Sequence, residues 1–277
     1  MTKRTPHWTL LLALAFLAAA SSTASAQYRP RPIDDPATGE KYHIEASAAL
    51  WWPNADITIA SEGLGIAGSS VNAKTDLGLV DQRFPQVRLV LRPTKSSKFR
   101  AEFIPIKYEQ TASIPRTIVF NGQAYAVGVP VASSVDWKAW RFGYEYDFIV
   151  KNRGFVGFLV EAKYTDVQVQ LTALAAKPIA EFAHAVAPIP AIGGVARYYF
   201  VPNISVTAEL SGFKLPNNAI KDTNAHYVDV DVYGTLNFTN NIGAQVGYRS
   251  LDVGYLVKTD TGAMTLRGIY AGVVARF

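Results

Sequence analysis

Ile269-Tyr270-Ala271-Gly272-Val273-Val274-Ala275-Arg276-Phe277 alternates residue by residue to the last position of the chain. Ile269, Ala271, Val273, Ala275 and Phe277 fall on one face, and Tyr270, Gly272, Val274 and Arg276 on the other. Successive side chains of a strand point to opposite faces, so the stretch reads as a β-strand with one wholly apolar face.

The same period recurs along most of the chain. In 134–148, Trp140, Phe142, Tyr144, Tyr146 and Phe148 share one face, against Trp137, Arg141, Gly143, Glu145 and Asp147. A soluble sheet rarely exposes such a row of aromatics, whereas a strand against lipid does. Val156, Phe158, Val160, Ala162 and Tyr164 repeat the pattern over Gly157, Glu161 and Lys163. Ile204, Val206, Ala208 and Leu210 oppose Ser205, Thr207, Glu209 and Ser211. Val228, Val230, Val232, Leu236 and Phe238 oppose Asp229, Asp231, Tyr233, Thr235 and Asn237, and Ile242, Ala244, Val246 and Tyr248 oppose Gln245 and Arg249. Each apolar stretch is near the ~9–11 residues that a tilted strand needs to cross a bilayer.

The end of the chain resembles the sorting signal that barrel-assembly machinery reads in outer-membrane β-barrels. It has Tyr270, Gly272 two on, then Ala275 and the terminal aromatic Phe277, with Ala275 a weak fit to its apolar slot. At the level of architecture the chain is similar to the small barrels grouped with opacity-type, porin-like proteins. The resemblance implies partners in outer-membrane lipid, the assembly machinery and periplasmic chaperones, and leaves any surface ligand open.

The other end agrees. Lys3 and Arg4 precede an unbroken apolar run, Leu10–Ala20, and Ala24-Ser25-Ala26 is a small-x-small cleavage site. The run is short of the ~20 residues of a membrane-spanning helix. A secretory signal over 1–26 is expected, cut after Ala26. Removing Lys3 and Arg4 leaves 25 basic and 22 acidic residues, too even and scattered to argue for nucleic acid. Zero cysteines exclude disulfides and thiolate metal sites. Hydrophobic content of 49% and aromatic content of 12% fit a sheet with one face in lipid and aromatic girdles at its borders.

The pattern therefore predicts an all-β, transmembrane, antiparallel up-and-down barrel over 43–277. It follows a Pro-rich periplasmic lead-in, 27–42. Ten strands are expected, at 43–53, 84–93, 98–110, 133–149, 154–170, 188–200, 203–213, 225–238, 241–257 and 263–277, with eight or twelve left open. Short polar turns at one end alternate with outer loops 54–82, 111–132, 171–187, 214–224 and 258–262. Within the second loop, Asn121-Gly122 between two apolar runs signals a hairpin projecting above the membrane, the alternative being one more membrane pair. Ile179–Val186 reads as a short helix at the mouth or as ordinary loop. Trp51, Trp52, Tyr108, Trp140, Tyr164 and Tyr227 sort toward the outer strand ends. Phe99, Phe148, Phe155, Tyr198, Phe200, Phe238 and Phe277 sort toward the inner ends.

Function has to be read from the inward face. Its expected cations are Arg88, Arg92, Arg100, Arg141, Lys163, Arg197, Arg249 and Arg276. Its expected anions are Glu45, Glu102, Glu145, Asp147, Glu161, Glu209, Asp229 and Asp231. A narrow barrel can be filled by side chains, and the even balance favours a salt-bridged interior over a constricted pore. Catalytic and cofactor chemistry find little support. His226 near Asp222 or Asp229 is the best approach to a rim hydrolase, and no paired-acid motif accompanies it. Neither His184 nor His226 has the nearby Ser that lipid-modifying barrels use, and two loop histidines are too few for a metal site. Asp56, Glu62, Asp76 and Asp81 in loop 54–82 lack the tight alternate spacing of a calcium loop. The expectation is a non-enzymatic barrel presenting surface loops for envelope-structural or adhesive work, with a small passive channel and then a rim hydrolase as rivals.

Overall fold

In a computed structural model of the chain, residues 37–60, 62, 68–174, 180–216, 223–257 and 260–277 are described, with backbone only at 180–187 and 257. The expected signal 1–26, residues 27–36, Asp222 and the side chains of Glu181 and His184 lie outside the described residues.

Ten long strands form the wall. They are β1 (Ile44–Ala60), β3 (Phe84–Leu91), β4 (Ser97–Ser113), β7 (Pro130–Lys151), β8 (Gly154–Ala173), β9 (Ala180–Val201), β10 (Ile204–Lys214), β11 (Thr223–Asn237), β12 (Ile242–Val257) and β13 (Asp260–Arg276). Each pairs antiparallel with its neighbour, and β13 returns to β1 over Glu45↔Arg276 through Ala60↔Thr261. Through the apolar band the ladder is closed and leaves no edge, the condition for a sheet in hydrocarbon, and only beyond Phe103 does β4 lose its β3 partner. The short β2 (Val71–Asn72) adds to β1. A separate hairpin, β5 (Ile118–Phe120) with β6 (Gln123–Tyr125), turns at Asn121-Gly122, both at positive φ. It is no membrane pair.

The outward face carries the exposed apolar side chains Phe142, Phe148, Phe158, Val160, Val246, Ile269 and Val273, among others. On β7 the row from Trp140 to Phe148 covers about 26 Å of strand, or roughly 20 Å of height at the usual tilt, close to the hydrocarbon band of such barrels. Phe103 stacks on Trp140 across the β4–β7 ladder at 4.2 Å. Beyond Trp140 the outward positions turn polar, at Lys138, Asp136, Lys107 and Glu109.

Most strands run further than the apolar alternation suggests. β1 continues to Ala60, β4 to Ser113, β8 to Ala173, and β7 starts at Pro130. Ladder hydrogen bonds need no lipid, so pairing persists where the outer face is wet. Ile179–Val186, which reads as a short helix or ordinary loop within 171–187, is instead strand from Ala180, paired to β8 from Thr172. The two aromatic bands also need correcting: Trp51, Tyr108, Phe155 and Tyr227 are buried inside the barrel, because their strand parity turns them inward. Trp52, Trp140 and Tyr164 remain outward at one border, and Phe99, Phe148, Tyr198, Phe200, Phe238 and Phe277 at the other.

The β3–β4 ladder stops at Val87↔Phe103. Continued by two residues, that register would set Pro85 against Pro105. Neither has an N–H to donate, so pairing ends there, and Pro105 is tolerated in β4. Above this point the chain from Ala73 to Arg83 runs beside β1, with Asp81 accepting from the Ala55 amide at 2.9 Å.

Candidate functional site

The interior has two storeys. The half nearer the short turns and chain ends is ionic. All sixteen charged residues assigned to the inward face by alternation are buried, and Lys98 joins them. Lys98 has the parity of Arg100 and Glu102, the signal by which it could have been found.

Glu209 on β10 is the hub. It accepts from Arg100 at 2.6 and 2.7 Å, from Arg88 and Arg141 at 3.3 Å, and from the Tyr233 hydroxyl at 3.1 Å. Arg88 also donates to Glu102 at 2.8 Å and to Asp231 at 2.7 Å. Its strand, β3, and the strand of Asp231, β11, lie four places apart in the closed order, so the pair crosses the lumen. Arg249 grips Asp229 with two nitrogens, at 3.0 and 2.8 Å, and reaches Glu102 at 2.5 Å. Arg141 bonds Glu161, while Lys163 holds Asp229 at 2.9 Å. Lys98 lies 2.5 Å from Glu145 and 2.8 Å from Asp147, the latter an ion pair by distance without hydrogen-bond geometry. Arg276 donates to Glu45 at 2.6 Å. Such pairing offsets the high cost of burying charge, and each removal of one partner exposes that cost again.

Residues 37–42 were expected to be a loose lead-in; instead they form a strap across the turn end. Ala37, Thr38 and Gly39 donate their amides to Asn152, Pro202 and Asn240 on three successive turns. Glu40 reaches inside, taking Arg197 at 3.0 Å and the Tyr199 hydroxyl at 2.8 Å, and its carbonyl takes Arg92 at 2.6 Å. Burial pushes the Glu40 carboxyl up, but Arg197 and Lys98 more than offset this and hold it below the ordinary carboxylate range. Tyr42 lies under Arg92 and Arg276, with centroid distances of 5.1 and 5.7 Å. With Glu40 the ionic half holds nine anions and nine cations among the described residues. Nothing in the sequence pattern marks Glu40, since it precedes the alternation. The space left between Tyr42, Arg100 and Glu209 has room for about one water molecule.

The loop half is apolar. Trp51, Ile57, Leu79, Ile104, Ile106, Tyr108, Val135 and Trp137 are buried together with Leu251, Leu266 and Tyr270. Above them Val71, Leu77, Ile114, Ile118, Phe120, Tyr125, Val131 and Leu171 form a second cluster, in which the β5–β6 hairpin plugs one side of the mouth. Tyr125 donates to the Leu171 carbonyl at 3.2 Å, and Ser69 and Val119 exchange two bonds. Asp76 binds Arg116 through two nitrogens at 2.9 and 2.7 Å, and that pairing holds its carboxyl low. Asp81 is engaged by Lys74, Asn54 and the Ala55 amide. These acids serve the plug, and they are not gathered round a common point.

His226 stands on the outer surface of the wall. It contacts Asp252 at 2.8 Å, and Asp252 accepts from Thr265 at 2.8 Å. Asp229, of opposite parity, is in the ionic interior. Of the residues expected to form an assembly signal, Tyr270 points inward and donates to Asp231 at 2.8 Å, its ring over Gly247, where a Cβ would strike it. Gly272 is also on the inner face. Ala275 and Phe277 face outward, and the Phe277 carbonyl accepts from His43 and Ile44 to finish the seam.

No family model matches the chain, and no curated protein matches it. Solved structures do resemble it. The outer-membrane protease OmpT from Escherichia coli aligns over 84% of this chain and 96% of its own, with 10% identity and a TM-score of 0.52. The Pseudomonas putida toluene transporter TodX aligns over 88% of this chain and 93% of its own, with 10% identity and a TM-score of 0.35. The translocator domain of the autotransporter NalP from Neisseria meningitidis covers 97% and 96%, with 10% identity and a TM-score of 0.36. The OmpT likeness is one of fold: a transmembrane antiparallel β-barrel of the outer-membrane type.

Proposed function

We propose that the chain resides in the outer membrane as a non-enzymatic, non-conducting barrel. Its loop end, with the β5–β6 hairpin and the extended strands, faces outward for envelope-structural or adhesive work. One observation carries this reading: the ionic storey pairs charges across the lumen, and the gap between Tyr42, Arg100 and Glu209 has room for about one water. A conducting path needs connected water and sites weak enough to release an ion. The strap at the turn end adds a second barrier. The outward position of His226, away from the interior acids, argues against a rim hydrolase. On this reading Tyr270, Gly272, Ala275 and Phe277 are presented to barrel-assembly machinery, with periplasmic chaperones upstream.

Single-channel recording of the refolded protein in a planar bilayer tests the proposal. Silence from correctly folded barrel is the expected result. Discrete, reproducible steps would move the passive channel to first place. Loss of a peptide- or lipid-cleaving activity in His226→Ala would restore the hydrolase.

A further inference from the structure

The apolar storey is filled unevenly. On the β1–β4–β7 side, inward residues such as Ile57, Ile106 and Val135 are fully buried under the plug. On β8, β10, β12 and β13, Val167, Val169, Phe213, Val253 and Met264 also point inward and pack on the same cluster, yet are only half-buried, although Leu251 and Leu266 beside them are buried. Two donors border this half-open wall without partners among the described residues, the Trp137 Nε1–H and the Tyr108 hydroxyl. Both side chains are 99% buried. Trp137 stands directly across the ladder from Val167, and Tyr108 lies in the row Tyr108–Val135–Val169. Buried donors are nearly always satisfied, and an orphan costs about 1–3 kcal/mol. The contrast with Trp51 is direct. It is as deeply buried, on the same storey, and its indole donates to the Gly268 carbonyl at 3.1 Å.

From this juxtaposition we infer that the loop half of the lumen is a binding chamber for a small apolar molecule carrying a hydrogen-bond acceptor, of the ketone or ester class. The half-open wall supplies apolar contact, and Trp137 and Tyr108 supply the two donors that orient the acceptor oxygen. The ionic storey beneath forms a floor that such a molecule cannot pass, so the chamber holds its ligand rather than conducting it.

The test uses the full barrel in lipid nanodiscs, with ¹⁵N-labelled indoles and cyclohexanone as probe. The Trp137 Nε1–H signal should move downfield saturably. Trp51, whose donor is already used, and the lipid-facing Trp52 and Trp140 should not follow. Val169→Phe, which fills the chamber, should weaken the response at least tenfold, and Tyr108→Phe should weaken it several-fold. Cyclohexene, which lacks the acceptor, should produce no downfield shift. Equal movement of Trp52 and Trp140 would mean partition into lipid and overturn the inference. So would an unmoved Trp137 signal with strong magnetisation transfer from water, since its donor would then be solvated. An undiminished response in folded Val169→Phe would also overturn it. None of these readouts depends on whether the barrel conducts ions.

Discussion

The two storeys of this lumen solve the same problem with opposite chemistry. Toward the turns, the space is filled by long charged side chains that reach across and neutralise one another. Toward the loops, it is filled by aromatic and aliphatic side chains and capped by a hairpin. The ionic storey is specific: each guanidinium fork requires its own carboxylates, and Glu209 serves three arginines at once. The apolar storey is graded, since dispersion and burial tolerate partial filling, and there one wall stays half-open. On the proposed reading the barrel is closed where it is charged and accommodating where it is apolar.

Breaking the ionic storey should have the largest effect. Glu209→Leu strips Arg88, Arg100 and Arg141 of a shared partner, at a cost on the order of 3–5 kcal/mol. Unfolding in urea from lipid vesicles should show that loss, and planar-bilayer recording should show ion steps absent from the parent. A silent Glu209→Leu barrel of parental stability would mean that the lattice neither seals nor stabilises.

Breaking the apolar storey should cost less and open nothing. Leu171→Ala removes a fully buried wall side chain on which the hairpin packs, worth about 2–5 kcal/mol toward the lower end, because the mouth can relax. Faster hydrogen exchange should appear in 114–131 and not in the turn half, with conductance unchanged. Exchange rising equally in both halves would show that the storeys are one cooperative unit.

The strap sharpens the comparison from below and is the smallest term. Glu40→Gln removes charge-assisted bonds worth about 1.5–3 kcal/mol before partial wetting at the mouth reduces them. Because its folded pKa is lowered, Glu40 stabilises the strap fully above the unfolded carboxylate value of ~4.3 and loses that contribution as pH falls through the folded value. Proteolysis after Lys41 should therefore accelerate on acidification below about pH 4 in the parent. It should be faster and pH-independent over that range in Glu40→Gln. A strap equally resistant in both proteins would show that Glu40 does not hold it.

Much of this was legible because strand side chains alternate strictly. Arg141, Glu145 and Asp147 had to share a face opposite Trp140, Phe142 and Tyr146, whatever the strand paired with. Lys98 escapes the alternation because it opens its strand, and Trp51 and Tyr108 sit at the depth of an interface but have inward parity. Even the division into storeys is written in the inward positions, which run Lys98, Arg100, Glu102 and then Ile104, Ile106, Tyr108 along β4.

By itself, then, the sequence determined the fold class and the inward face of sixteen charged side chains, since these follow from a local period of two, and closure fixed the strand number at ten. Tertiary structure decided who meets whom. That Arg88 reaches Asp231, that Glu40 turns up into Arg197, and that the hairpin at Asn121-Gly122 plugs the mouth all depend on closure. Closure brings together positions 143 and 157 residues apart in the first two cases, and the hairpin meets positions 46 and 50 residues away, distances that no local period encodes.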